Sequence, residues 1–143
     1  MRIVLDSNIV LAALIKDGHV RRILTTAPAS FFFPEVFMEE LEKYKPVVLE
    51  KTGLDQSSYE LLLQTILNYL EIIPPYEIQK NLSEAVKLMK LIDVKDAPVL
   101  ATALSMNAII WSDDPHLKKQ QRIKTFTTSE ITVLFRTNFV DND

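Results

Sequence analysis

Three short runs rich in branched or aromatic side chains constrain this chain more than any other feature: Arg2-Ile3-Val4-Leu5, Phe31-Phe32-Phe33 and Ala108-Ile109-Ile110-Trp111. None of them alternates apolar with polar. A strand with one face in water alternates, whereas a strand buried on both faces reads as a continuous apolar run. Between these runs lie segments with helical spacing. Short, fully apolar strands alternating with helices predict an α/β fold, with a parallel sheet covered on both faces.

The helical segments can be read in order. Residues 9–15, Ile-Val-Leu-Ala-Ala-Leu-Ile, are too unbroken in their apolarity for a solvent-facing helix and predict a buried one. Residues 20–27 predict a second helical piece, and Pro34 opens a third that carries Val36, Phe37 and Leu41. Ser57-x-x-Glu60 matches a capping box. The apolar stripe that follows, Tyr59, Leu62, Leu63, Ile66, Leu67, Leu70 and Ile73, predicts one helix ended by Pro74-Pro75. Ile78, Leu82, Ala85, Val86 and Met89 mark the next. Residues 97–104 are small and apolar and predict a buried helix, with Pro98 in its first turn, where a missing N–H costs nothing. Residues 124–127 predict a fourth, short strand. Thr128-Ser129-Glu130 starts a final helix with Ile131, Leu134 and Phe135. The long stretch from Pro34 to Asn107 must hold several helices, and a helical hairpin is its natural arrangement.

The 143 residues suit one domain spanning 1–143, and the 48% of hydrophobic residues suffice for a sizeable core. No apolar run approaches the ~20 residues of a membrane span. Met1-Arg2 runs straight into the first strand, so no signal peptide is expected. The absence of cysteine excludes disulfides, thiolate zinc sites and cysteine nucleophiles, and suits a cytoplasmic protein. The net charge of −3 runs against the basic excess common in nucleic-acid binders. A carboxylate-rich metal site lowers net charge without touching the rest of the surface, so the placement of the positive charges matters more.

In open α/β sheets, ligands bind outside the carboxyl ends of the strands. Asp6 follows the first run directly, and Asp113 and Asp114 follow Ser112 at the end of the third. Asp96 begins the buried helix that feeds that third strand. This helix must run antiparallel to the strand, which places its N-terminus at the strand's C-terminal end. Asp6, Asp96 and Asp114 are therefore expected at one rim, with Glu40, in the second turn of the helix after the second strand, in reach. Carboxylates gathered this way repel one another unless a cation lies between them. An all-oxygen donor set suits Mg²⁺ or Mn²⁺ and the hydrolysis of phosphodiesters. Each residue also has a structural reading: a strand-end Asp as turn former or helix cap, Asp96 as an N-cap, Glu40 as one of several solvated glutamates.

Four segments carry a family resemblance. Leu5-Asp6-Ser7-Asn8 resembles the hhhD-[ST]-N opening of PIN domains. Glu39-Glu40-Leu41 resembles the family's second acidic site, Asp93-x-x-Asp96-Ala-Pro-Val-Leu-Ala-Thr-Ala-Leu its acidic helix start, and Trp111-Ser112-Asp113-Asp114 its strand-end [ST]-x-D motif. The likeness runs from residue 2 to about residue 135. It implies a three-layer α/β/α sandwich with a short, mainly parallel sheet and a helical hairpin insertion. It also implies Mg²⁺- or Mn²⁺-dependent cleavage of RNA, frequent homodimers and, by similarity to small VapC-type toxins, an antitoxin partner. Asp6, Glu40, Asp96 and Asp114 would then carry the metal and the catalysis. Asn8 would position Asp6 or a metal-bound water, Ser112 would hydrogen-bond to the acids, and Asp93 would assist. A one-residue shift of the turn would let Asp113 replace Asp114.

Two other phosphoryl-transfer folds do not match. The haloacid dehalogenase-like pattern needs D-x-D where this chain has Asp6-Ser7-Asn8, and a receiver domain needs a strand-end Asp between residues 34 and 92 that is not there. The remaining rival is a PIN-like module that binds RNA or protein without cleaving. His19 and His116 invite an acid–base role, with His116 just past Asp114 the one placed to contact substrate, but the surface histidine is the default reading of both. Arg21-Arg22 and Lys118-Lys119-Gln120-Gln121-Arg122 can bind phosphates or form a solvated charged face. The Phe31–Phe33 run reads as core.

Overall fold

The computed structural model describes residues 1–16 and 18–140, the last four by backbone alone; residues 141–143 of the expected domain lie outside the described residues. Its elements run β1 (Arg2–Leu5), α1 (Ser7–Ile15), α2 (His19–Thr26), β2 (Ser30–Pro34), α3 (Met38–Thr52), α4 (Gln56–Leu67), β3 (Leu70–Ile73), α5 (Pro75–Met89), α6 (Ala97–Met106), β4 (Ile109–Trp111), β5 (Thr125–Phe126) and α7 (Thr128–Val140). Short 3₁₀ turns precede α3 and α6 and lie between β4 and β5.

The five strands form one parallel sheet in the order β3-β2-β1-β4-β5. The chain moves outward from β1 to β2 to β3, then crosses back to lay β4 on the other side of β1. Right-handed crossovers place the helices of these two excursions on opposite faces. The packing agrees: α1 lies against α2, α3 and α4, while α5 packs along α6, which in turn covers β1, β2 and β4. Ile3, Val4, Leu5, Phe32, Phe33, Ile110 and Trp111 are at most 1% exposed, as strands covered on both faces require.

Two expectations need correction. The apolar stripe that begins at Tyr59 is not one helix. α4 stops at Leu67, and Leu70–Ile73 is an edge strand paired with β2. Leu70 and Ile73 sit at positions that continue the helical spacing by chance, and Glu71 keeps the edge strand from reading as a wholly apolar run. The α4 cap is also displaced: Asp55 caps the helix by accepting from Ser58 N–H at 2.8 Å, and Glu60 receives Gln56 and Lys45 instead. A reciprocal capping box does occur at α7, between Thr127 and Glu130. α3 and α4 are consecutive helices joined across Gly53, whose φ of 70° is the left-handed geometry glycine tolerates, and Lys45 of the first meets Glu60 of the second at 3.3 Å.

Candidate metal centre

The strand order reverses between β1 and β4, so the crevice outside their carboxyl ends is the position where ligands bind in such sheets. Asp6 ends β1, with its N–H donating to the Trp111 carbonyl of β4 at 3.1 Å. Asp114 lies three residues beyond Trp111. Asp96 arrives from the opposite layer, at the N-terminus of α6. One carboxylate oxygen from each of Asp6, Asp96 and Asp114 lies within 4.8 Å of the other two. These three line a cleft of about 570 Å³ together with Asn8, Glu40 and Asp93.

The side chains differ in how they are held. Asp6 is 3% exposed; it caps α1 by accepting from Ser7 N–H at 2.8 Å and accepts from the Ser112 hydroxyl at 2.8 Å. The same Ser112 oxygen accepts from Asp114 N–H at 3.0 Å, so one hydroxyl fixes the two strand-end acids relative to each other. Asp114 accepts from the backbone N–H of His116 at 2.9 Å. Asp96 has no such support. It is 8% exposed, its side chain does not cap α6, and its Oδ2 is buried with no hydrogen-bond partner. The simple N-cap reading of Asp96 therefore does not hold.

Burial is the largest influence on both buried acids. It raises the Asp6 carboxyl, against the pull of its Ser112 and Ser7 hydrogen bonds and with the charges of Asp114 and Glu40 adding to the rise. It pushes Asp96 up to about 7, aided by the charges of Asp6, Asp114, Asp93 and Glu40. A buried carboxylate oxygen without a donor, facing other carboxylates, fits a cation: a bound divalent ion would supply the missing partner and offset the repulsion. The donors are oxygens, which hard cations such as Mg²⁺ and Mn²⁺ accept.

The remaining candidates are distributed as follows. Glu40 lies in the first turn of α3, following the 3₁₀ turn Glu35–Phe37, not in a second turn; it is half-buried and lines the same cleft. Asn8 lines the cleft from α1. Asp93 accepts from Lys95 N–H at 3.1 Å and turns its other oxygen towards His116. Asp113 is not among the clustered acids. Its two oxygens accept from the N–H and hydroxyl of Thr128, both at 2.7 Å, so it supports the start of α7. His116 Nδ1 is 3.2 Å from Asp114 and 3.8 Å from Asp93. His19 instead contacts Thr132 of α7 at 2.9 Å. Arg21 donates to the carbonyls of Ala13 and Lys16 at the end of α1. In the basic run, Lys118 pairs with Glu130 and Arg122 with Glu84. The cleft itself carries Lys43, Tyr44 and Lys95, which the sequence reading did not single out. Their signal was present: Lys43 and Tyr44 follow Glu40 by three and four residues, one helical turn along the same face.

Comparison with known proteins agrees with this architecture. The family model of the PIN domain matches residues 4–136. A crystal structure of VapBC2 from Rickettsia felis, bound to a DNA fragment from their promoter, contains a chain that superposes with a TM-score of 0.69 at 17% identity, covering 89% of this chain and 98% of that one. No curated protein matches the sequence. With the four acidic segments in order, the matched span covering nearly the whole chain and the shared parallel sheet, the chain belongs to the PIN-domain family.

Proposed function

We propose that the chain is a metal-dependent endoribonuclease in which Asp6, Glu40, Asp96 and Asp114 hold Mg²⁺ or Mn²⁺. The observation that carries this reading is Asp96. Its Oδ2 is buried and has no hydrogen-bond partner among the described residues, and one of its carboxylate oxygens lies within 4.8 Å of an oxygen from each of Asp6 and Asp114. A divalent cation there supplies Lewis acidity and charge shielding for phosphodiester hydrolysis. The protein's own groups do the remaining work. Ser112 holds Asp6 and Asp114 in register, and Asn8, which lines the cleft, would offer its amide to the substrate or to the hydration shell of a bound ion. Lys43 and Lys95 bind backbone phosphates at the cleft, and the half-exposed ring of Tyr44 offers a face to an unstacked base. Single-stranded RNA, or a loop of structured RNA, is the substrate this lining suits.

The resemblance to VapC-type toxins, and a fold shared with a chain of the VapBC2 complex, support a biological role as the toxin of a toxin–antitoxin pair. An antitoxin protein and a second copy of the chain are the partners that go with that role, and the cytoplasm is its compartment. No helix of the described residues is long and apolar enough to cross a membrane.

Incubation with mixed RNAs in Mg²⁺ or Mn²⁺ tests the reading. Cleavage that stops in EDTA and returns on adding metal is the expected result. Cleavage undiminished in excess chelator would reject the metal mechanism. RNA binding without cleavage under any divalent ion would favour a non-catalytic RNA-binding module.

A further inference from the structure

The metal cleft opens into a second space. Val36 and Glu39 line the cleft, and the same two residues line a neighbouring groove of about 500 Å³ with Glu35, Met38 and Pro75. The two spaces meet across the 3₁₀ turn that follows β2. Pro34 and Phe37, on either side of Glu35 and Val36, are buried, and the Phe37 ring packs edge-on against Phe33 with centroids 6.0 Å apart. The turn is thus anchored to the core, while Val36, between the two spaces, stays 41% exposed.

The groove has the wrong charge for a phosphate and suitable surfaces for a base. Val36, Met38 and Pro75 give it apolar walls of the kind that enclose an unstacked base. Its polar groups are two carboxylates, and neither the Glu35 nor the Glu39 carboxylate has a hydrogen-bond or ion-pair partner among the described residues. Nor does either belong to a group of three close metal-ligating residues there. A carboxylate only accepts hydrogen bonds, and it repels phosphate. Among the four RNA bases, guanine alone offers two adjacent donors, N1–H and N2–H₂, on its Watson–Crick edge, and one carboxylate can take both. Adenine and cytosine set an acceptor beside their amino group, and uracil flanks its one N–H with two carbonyls, so each turns a lone pair towards the acid. Lys43, which lines the metal cleft, lies one turn of α3 beyond Glu39. A cation for the RNA backbone and an acceptor for a base therefore stand side by side.

We propose that this groove is a nucleobase subsite that selects guanine near the scissile phosphodiester, with the Glu39 carboxylate reading the base between Val36, Met38 and Pro75. Glu39 is the reader, not Glu35, because it alone of the two lines both spaces. The simpler alternative, a pair of solvated glutamates, predicts no base preference. This inference rests on the RNA reading of the cleft, and the two can fail separately.

Hexauridine RNAs carrying a single guanine, inosine or adenine test it, with anisotropy in Ca²⁺ reading binding and fragment mapping in Mn²⁺ reading cleavage. The parent should bind the guanine RNA at least about tenfold tighter than the adenine RNA, the scale of one bidentate base contact, and cut at a fixed offset from guanine. Inosine lacks the 2-amino group and should fall between. Glu39→Gln puts an amide, with one donor and one acceptor, in place of two acceptors. It should bring guanine and adenine within about twofold and scatter the cuts, while Glu35→Gln keeps the preference. Both glutamates are exposed, so neither variant disturbs the core. A parent that binds these RNAs without base preference would overturn the subsite and leave the nuclease reading. A preference undiminished in Glu39→Gln would overturn the role of Glu39. Guanine-selective binding with no cleavage in any divalent ion would overturn the nuclease reading and support the subsite. A parent that binds none of the RNAs would overturn both.

Discussion

A carboxylate taken out of water is normally met by a donor or a cation. Asp6 has Ser7 and Ser112, and Asp114 has the backbone of His116, whereas Asp96 Oδ2 has no partner. Burial and four neighbouring acids raise Asp96 to about 7, from the ordinary 3.8 it would have in the unfolded chain. Between those values the folded state keeps a proton that the unfolded state has lost. Metal-free stability therefore falls as pH rises from about 4 to 7, by on the order of a few kcal/mol at about 1.4 kcal/mol per pKa unit. Asp96→Asn cannot ionise and should lose this dependence. In EDTA its melting temperature should match or exceed that of the parent at pH 8, and its advantage should shrink at pH 5. Its RNA cleavage should nonetheless drop by at least roughly 10²-fold, since a metal ligand supplies several kcal/mol of transition-state stabilisation. A variant that melts well below the parent at pH 8 and cleaves normally would make Asp96 a structural residue.

At the scale of elements, the turn after β4 assigns adjacent acids to different tasks. Asp114 faces the cleft, while both oxygens of Asp113 are spent on Thr128, whose hydroxyl also accepts from Trp111 Nε1 at 3.0 Å. Asp113→Ala should cost about 1 kcal/mol, the typical worth of a helix-terminal carboxylate, and leave metal binding unchanged. Asp114→Asn should do the opposite, which thermal melts with and without Mn²⁺ can read. The sequence left this choice open because an acid after a strand fits a cap or a ligand equally well, and only the position of α7 decides it. β3 was illegible for a related reason. An edge strand with one neighbour need not be apolar throughout, and its two buried residues happened to prolong the spacing of α4. The central strands were legible because burial on both faces leaves no room for polar side chains. Asp96 was legible because a buried helix feeding β4 can start only at the carboxyl rim.

For the whole molecule, the reversal of strand order beside β1 brings together residues separated by more than 100 positions. The net charge of −3 concealed the distribution of positive charge. Much of the 118–122 run is paired with Glu84 and Glu130, while Lys43 and Lys95 stand at the acidic cleft. A Lys43→Ala/Lys95→Ala double variant should raise KM for RNA several-fold and flatten its salt dependence by about 0.7 in logarithmic slope per lost phosphate contact. Its response to metal alone should not change, and an unaltered KM and slope would place the RNA elsewhere. The claim beneath all of these is that Asp6, Asp96 and Asp114 bind a divalent cation, and a thermal melt of parent and Asp96→Asn with and without Mn²⁺ tests it directly. At about 100 times the dissociation constant, linkage contributes about 2.7 kcal/mol, or roughly 5–10 °C for a domain of this size. The parent should gain that rise and the variant much less; equal shifts in both, or none in the parent, would contradict the account.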